Sequence, residues 1–147
     1  MGTPQYMAPE IISEQGHNEL ADWWSLGILM FELATGVPPY DDADLERLAD
    51  KICFDDLPLR SEFSRDFSDL LLKLTHKVRT KRLGSKGGAT QIKAHPFFKT
   101  VEWDKLLSRQ VRAPLLPDPA AENEPDPDCP SKGLKNPYVL LSQNFDK

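Results

Sequence analysis

Little in this sequence would place it outside the cell or in a membrane. It has two cysteines, Cys53 and Cys129, far apart and in unlike surroundings. Neither a disulfide framework nor a metal-ligand spacing follows from them, and a reducing compartment fits best. No Asn-x-Ser/Thr acceptor occurs, and no basic cluster precedes an apolar segment at the N-terminus, so no secretory route is indicated. The main apolar run, residues 23–31, stops at Glu32. That is well short of the ~20 residues a membrane span requires. Basic charge is scarce too: 18 Lys and Arg stand against 23 Asp and Glu, for a net charge of −5. No basic stripe follows a phosphate backbone, so nucleic acid is not an expected partner. The expected location is intracellular, in the cytoplasm.

What the sequence does have is one soluble domain's worth of apolar residues, 39% of 147, followed by a tail. Residues 21–36, ADWWSLGILMFELATG, carry the strongest signal. A helix apolar on all sides belongs in the centre of a domain. At about 100° per residue, Asp22, Ser25 and Glu32 share an arc of roughly 80°, a single polar strip that a charged group is expected to meet. Gly36 and then Pro38-Pro39 end the helix at residue 35.

Residues 1–10, MGTPQYMAPE, form a loop rich in turn formers, and Pro9 can open a short helix over 10–13. Residues 14–20 are polar and contain Gly16 and Asn18, the composition of a surface loop, and His17 there is a lone loop histidine with no metal role expected. A second helix is expected from near Ala43, with Leu45, Leu48, Ala49, Ile52 and Cys53 as its buried stripe. Ser64 offers an N-cap to a third, with Phe67, Leu70, Leu71 and Leu74 inward. Residues 77–82, KVRTKR, could serve as an anion site, but a solvated helix end is the plainer reading. Residues 84–88, GSKGG, lack the order and the preceding strand of a phosphate-binding loop and read as a plain loop. From residue 118 prolines and acids dominate, so 118–137 is expected to be disordered. Residues 138–141 restore a short apolar patch.

G-T-P-x-Y-x-A-P-E at residues 2–10, followed by D-x-W-x-x-G at Asp22, Trp24 and Gly27, closely resembles the end of the activation segment and the central large-lobe helix of protein kinases. Thr3 points to the serine/threonine class. The segment around Arg82-Leu83-Gly84, the final helix and His95-Pro96-Phe97-Phe98 continue the match. The succession through Trp103, Leu106-Leu107 and residues 113–117 is similar to the tail of the AGC group, which contains the cyclic-nucleotide-dependent kinases and protein kinase C. Asn144-Phe145-Asp146 is similar to the N-F-D of that tail. The implied fold is mainly α, the large-lobe part of the protein kinase fold. The implied domains are a partial kinase domain at 1–99 and an AGC-type tail at 100–147.

The resemblance also implies roles. Thr3 would bond the kinase catalytic aspartate and lysine, while Pro4 and Met7, beside Tyr6, would line the pocket for the residue after the phosphoacceptor. Asp22 would anchor the backbone of the catalytic loop, and Glu32 would meet a substrate arginine. Gln5 stands where such kinases often have an acid, which implies a weaker basic preference. Arg82 would pair with Glu10 in a buried ion pair, without the aspartate that usually stands where this chain has Val78. His95 would be a packing residue. The implied partners are a protein or peptide substrate with basic residues and a regulatory kinase acting on the intact protein. ATP and magnesium would be cofactors of that intact kinase.

Phosphoryl transfer needs a phosphate-binding lysine, magnesium ligands and a catalytic aspartate. The motifs that carry them, V-A-I-K, H-R-D-x-x-x-x-N and D-F-G, do not occur in these 147 residues. They would precede Met1, so the isolated chain is expected to be inactive and to need no cofactor. Two other readings stand beside this one: a non-catalytic module that competes through the substrate-docking face, and a truncated gene product with no role of its own.

Overall fold

A computed structural model describes residues 3–113, and every regular element among them is helical. They fall into two units, divided after Glu102. The expected disorder at 118–137, the apolar patch at 138–141 and the Asn-Phe-Asp match at 144–146 lie outside the described residues.

The first unit opens with a 3-10 turn, Pro4–Tyr6, and then α1, Pro9–Ile12. Proline at the first position of each suits a site where the missing N–H has no helical acceptor. Next comes α2, Leu20–Thr35, one residue longer at its start than expected. Gly36 ends it with φ +80°, its N–H donating to Glu32 O at 2.7 Å, in the left-handed cap that glycine adopts without strain.

The Asp44 side chain accepts from Glu46 N and Arg47 N and caps α3, Leu45–Phe54. Ser64 does the same for α4, Arg65–Leu74, by accepting from Phe67 N. The segment after α4 makes a 3-10 turn at Arg79–Lys81, then α5, Gly88–Lys93, and a last 3-10 turn, Pro96–Phe98.

The larger core cluster gathers on one face of α2. Trp24, Ile28 and Phe31 pack with Leu48 and Ile52 of α3 and Leu71 of α4, and Ala8 closes the end. A second cluster joins Leu70 and Leu74 of α4 to Ile92 of α5, with Trp23 and Leu26 of α2 against it. Buried His95 holds the end of the unit: Nδ1 accepts from Phe97 N, so Nε2 carries the proton and donates to Asp69 at 2.9 Å.

Three expectations need correction. Helix α2 is not buried all round, since Leu29 and Leu33 are 43% and 78% exposed. Its neighbours cover the Trp24–Phe31 face and leave that side open. Leu45 is exposed at the first turn of α3, on the open cleft beside Pro4 and Met7, while Leu48 and Ile52 are buried as expected. Residues 77–82 are not a helix end, because α4 stops at Leu74; Lys77 is half-buried and Arg82 fully buried.

The second unit, taken by itself, contains α6, Trp103–Leu107, followed by Ser108, whose hydroxyl donates to Asp104 O at 2.8 Å. No described helix is long and apolar enough to cross a membrane.

Candidate functional site

The polar strip of α2 is met by the loop at residues 3–7. Ser25 Oγ donates to Tyr6 O at 2.8 Å, and Tyr6 Oη donates to the Glu32 carboxylate. No charged group meets the strip among the described residues, against expectation; a phenol and a main-chain carbonyl do. The hydrogen bond to Glu32 favours the neutral phenol, and partial burial and the carboxylate charge add to it, so the Tyr6 hydroxyl titrates above its ordinary range. Two turns of helix therefore hold the loop at both its backbone and its side chain.

Glu10 at the start of α1 is held from the far end of the unit. Arg82 Nη1 and Nη2 donate to its two carboxylate oxygens at 2.6 and 2.9 Å, a bidentate contact with both side chains buried. Nη1 also donates to Leu20 O at 2.7 Å and Nε to His76 O at 3.2 Å. Burial alone would raise the Glu10 carboxyl. The hydrogen bonds from Arg82 and from Glu10's own backbone, with the arginine charge, outweigh burial and hold it below the ordinary value.

Trp24 is wholly buried at the centre of these contacts. Its ring stacks on Tyr40 with centroids 6.4 Å apart, and Arg82 and Lys77 lie 5.4 and 5.0 Å from its centroid. Lys77 donates to Ile52 O at 2.6 Å and to Tyr40 Oη at 3.1 Å, and burial lowers its pKa. Burial likewise raises that of Tyr40. Gly27 lies against α4: a Cβ there would be 2.7 Å from Thr75 Cγ2 and 3.0 Å from Leu74 Cβ.

The remaining residues of the expected site lie at the surface or on a cleft. Thr3 is exposed, and neither its hydroxyl nor the exposed Asp22 carboxylate has a side-chain hydrogen bond among the described residues. Pro4 and Met7 line an apolar cleft of about 360 Å³ with Ile11, Ile12, Leu45 and Leu48. Gln5 Nε2 donates to Asp41 at 3.3 Å, so a carboxylate stands beside the glutamine.

Lys77 and the carbonyls of Leu20 and His76 have structural parts that the sequence reading did not assign. No periodicity marks them, because main-chain acceptors leave no residue signature. Ser25 was legible as a member of the polar strip, but its partner was not.

Residues 1–98 match the family model described as the protein kinase domain. The serine/threonine-protein kinase sgk-1 of Caenorhabditis elegans is 42% identical over 116 residues, covering 79% of this chain and 25% of that protein. The cAMP-dependent protein kinase catalytic subunit PRKX of Mus musculus is 43% identical over 119 residues, covering 79% of this chain and 33% of its own length. The cAMP-dependent protein kinase catalytic subunit of Dictyostelium discoideum is 36% identical over 156 residues, 98% of this chain and 24% of that protein. The chain thus spans a quarter to a third of the length of these curated relatives. With two thirds of its residues inside the family model and a helical large-lobe architecture to match, the chain belongs to the protein kinase family, in the AGC group of serine/threonine kinases.

Proposed function

We propose that these residues are the substrate-facing part of an AGC serine/threonine kinase, comprising a partial kinase domain at 1–99 and a tail at 100–147. The whole protein would transfer the γ-phosphoryl group of ATP to a serine or threonine of a protein substrate in the cytoplasm. The observation that carries this reading is the double anchoring of the Thr3–Met7 loop on Ser25 and Glu32, which fixes Pro4 and Met7 on the apolar cleft. In this reading the cleft takes the residue after the phosphoacceptor, and Glu32 receives a basic side chain. Asp41 beside Gln5 supplies a second carboxylate and supports a basic preference despite the glutamine. Thr3 and Asp22, whose side chains have no hydrogen bond among the described residues, would serve the catalytic segment of the intact kinase, whose activity a regulatory kinase would control.

The described residues do not fit Mg-ATP. No three His, Cys, Asp or Glu side chains among them form a metal site, and the two half-buried lysines are committed, Lys77 to Ile52 and Tyr40 and Lys51 to Asp42. No step of the reaction is therefore assigned to this chain's own residues beyond holding substrate, and the isolated chain is expected to show no turnover of Mg-ATP. A fluorescent peptide with one serine and two upstream arginines tests the reading by anisotropy. Saturable binding weakened about tenfold or more in Glu32→Ala supports it. Equal binding by the folded variant contradicts it.

A further inference from the structure

The basic segment 77–82 and the glycine-rich loop 84–88 each lack a clear ligand when read alone. In the structure Thr80, Lys81 and Arg82 at the end of the first and Ser85 and Lys86 of the second line one cavity of about 450 Å³, with Lys73 and Gln91 beside them. No carboxylate lines this cavity. Lys73 is shared with Asp69, its i−4 neighbour, at 2.6 Å. Lys81 and Lys86 are exposed and have no acidic partner among the described residues. In a chain of net charge −5, three lysines around one concavity are a local reversal of sign.

Solvation of a helix end does not account for the arrangement, because Lys86 is twelve positions past the end of α4 and belongs to a different turn. The walls are also held in place. Leu83 N donates to Lys73 O at 2.8 Å, tying the loop to the last turn of α4, and the neighbouring Arg82 is locked by Glu10. Gln91 Oε1 accepts from Gly84 N at 2.9 Å and Lys86 N at 3.3 Å, which fixes the base of the lysine. Gly84 sits at φ +97° against the Trp23 ring, where any side chain would collide. With Oε1 engaged twice, Gln91 keeps its Nε2 donor, and the Thr80 and Ser85 hydroxyls add two more. Lysine suits this role as a compact, mobile point charge for phosphate oxygens.

We infer that Lys73, Lys81 and Lys86 form a site for a compact anion carrying several phosphate groups, of the inositol polyphosphate or phosphoinositide headgroup kind. The site is separate from the substrate face and does not depend on the function proposed above. A ring carrying several phosphates offers each of the three ammonium groups around the cavity its own anionic partner, which one phosphate does not. Clustered lysines attract anionic lipid headgroups and free polyphosphates by the same electrostatics.

The test is calorimetric titration of the 147-residue protein with myo-inositol hexakisphosphate at physiological ionic strength, beside co-sedimentation with phosphatidylcholine vesicles containing phosphatidylinositol bisphosphate. Saturable one-to-one binding is expected, weakened about fivefold by Lys81→Ala or Lys86→Ala and more than tenfold by both. Arg47→Ala on α3 and the charge-preserving Lys81→Arg/Lys86→Arg pair should keep it. Vesicle capture that hexakisphosphate displaces identifies a membrane headgroup as the source. Binding of the soluble anion without vesicle capture identifies a free polyphosphate. The inference is overturned if the folded protein binds neither probe, if the double alanine variant binds as tightly as the parent, or if phosphatidylserine vesicles of equal charge are captured equally well.

Discussion

Arg82 grips both carboxylate oxygens of Glu10 across 72 residues of sequence, at 2.6 and 2.9 Å, and closes the unit into a ring. One end of that ring is the helix that follows the Thr3–Met7 loop. The other is the segment that carries the basic cavity. A buried pair of this kind adds little net stability against an apolar replacement, but each partner depends on the other.

Arg82→Ala should therefore cost about 3–5 kcal/mol, because it leaves the buried Glu10 carboxylate without its partner. Glu10→Leu/Arg82→Met should cost clearly less than the sum of the single changes, since neither charge is left uncompensated. Urea unfolding of the three variants measures this. Additive losses would show that the pair is not coupled.

The same pair sets an acid limit. The Glu10 carboxyl titrates below its ordinary value of 4.5 in the folded chain. Its contribution is thus fully present above that value and is lost as pH falls through the lower, folded one. Stability should decline on acidification below about pH 4.5. The decline should be shallower in Glu10→Gln, as thermal unfolding across pH would show.

Gly27→Ala sets two effects against each other. Helix propensity favours alanine by about 1 kcal/mol. The added methyl would meet Thr75 Cγ2 at 2.7 Å and Leu74 Cβ at 3.0 Å. Thr75 cannot swing away easily, because it is buried and its hydroxyl donates to Leu71 O at 2.8 Å. Overpacking of this kind costs about 1–3 kcal/mol, so the variant should be net destabilised. Thr75→Ser in the same chain removes the methyl, keeps the hydroxyl and should restore part of the loss.

Tyr6 reports on the loop. Its phenol titrates above the ordinary value of 10.0 chiefly because it donates to Glu32. In Glu32→Gln the Tyr6 titration, isolated by difference from Tyr6→Phe, should move back toward 10.0. Because the folded value is the higher one, this contribution to stability is present below pH 10.0 and disappears as pH rises through the folded value. An unchanged titration would mean that the loop is not held as described.

Much of this was legible in the sequence. The α2 boundaries, its Gly36 cap, the Ser64 cap and the inward residues Leu48, Ile52, Leu70, Leu71 and Leu74 follow from periodicity and capping chemistry. The motif residues brought Glu10 and Arg82 into one expectation, although no local rule connects positions so far apart. What stayed hidden depends on tertiary approach. Leu33 looks like core and is exposed, because periodicity cannot tell how many faces of a helix find neighbours. Lys77 looks like a solvated cation and is half-buried between Trp24 and Tyr40, where ring faces and a carbonyl replace water. Residues 81 and 86 read as two unrelated features in the sequence, yet both line one cavity, whose loop is held by Gln91 and by the bond from Leu83 N to Lys73 O.

In the proposed function the Thr3–Met7 loop and the cleft beside it receive the peptide next to its phosphoacceptor. The most direct measurement is photolabelling of the 147-residue protein with an arginine-containing peptide that has benzophenone-alanine immediately after its serine, read by mass spectrometry. Adducts are expected on Met7 and its cleft neighbours Ile11 and Leu48, abolished by excess unlabelled peptide and reduced in Glu32→Ala. Competed labelling confined to residues 85–93, none of which lines the cleft, would contradict this placement.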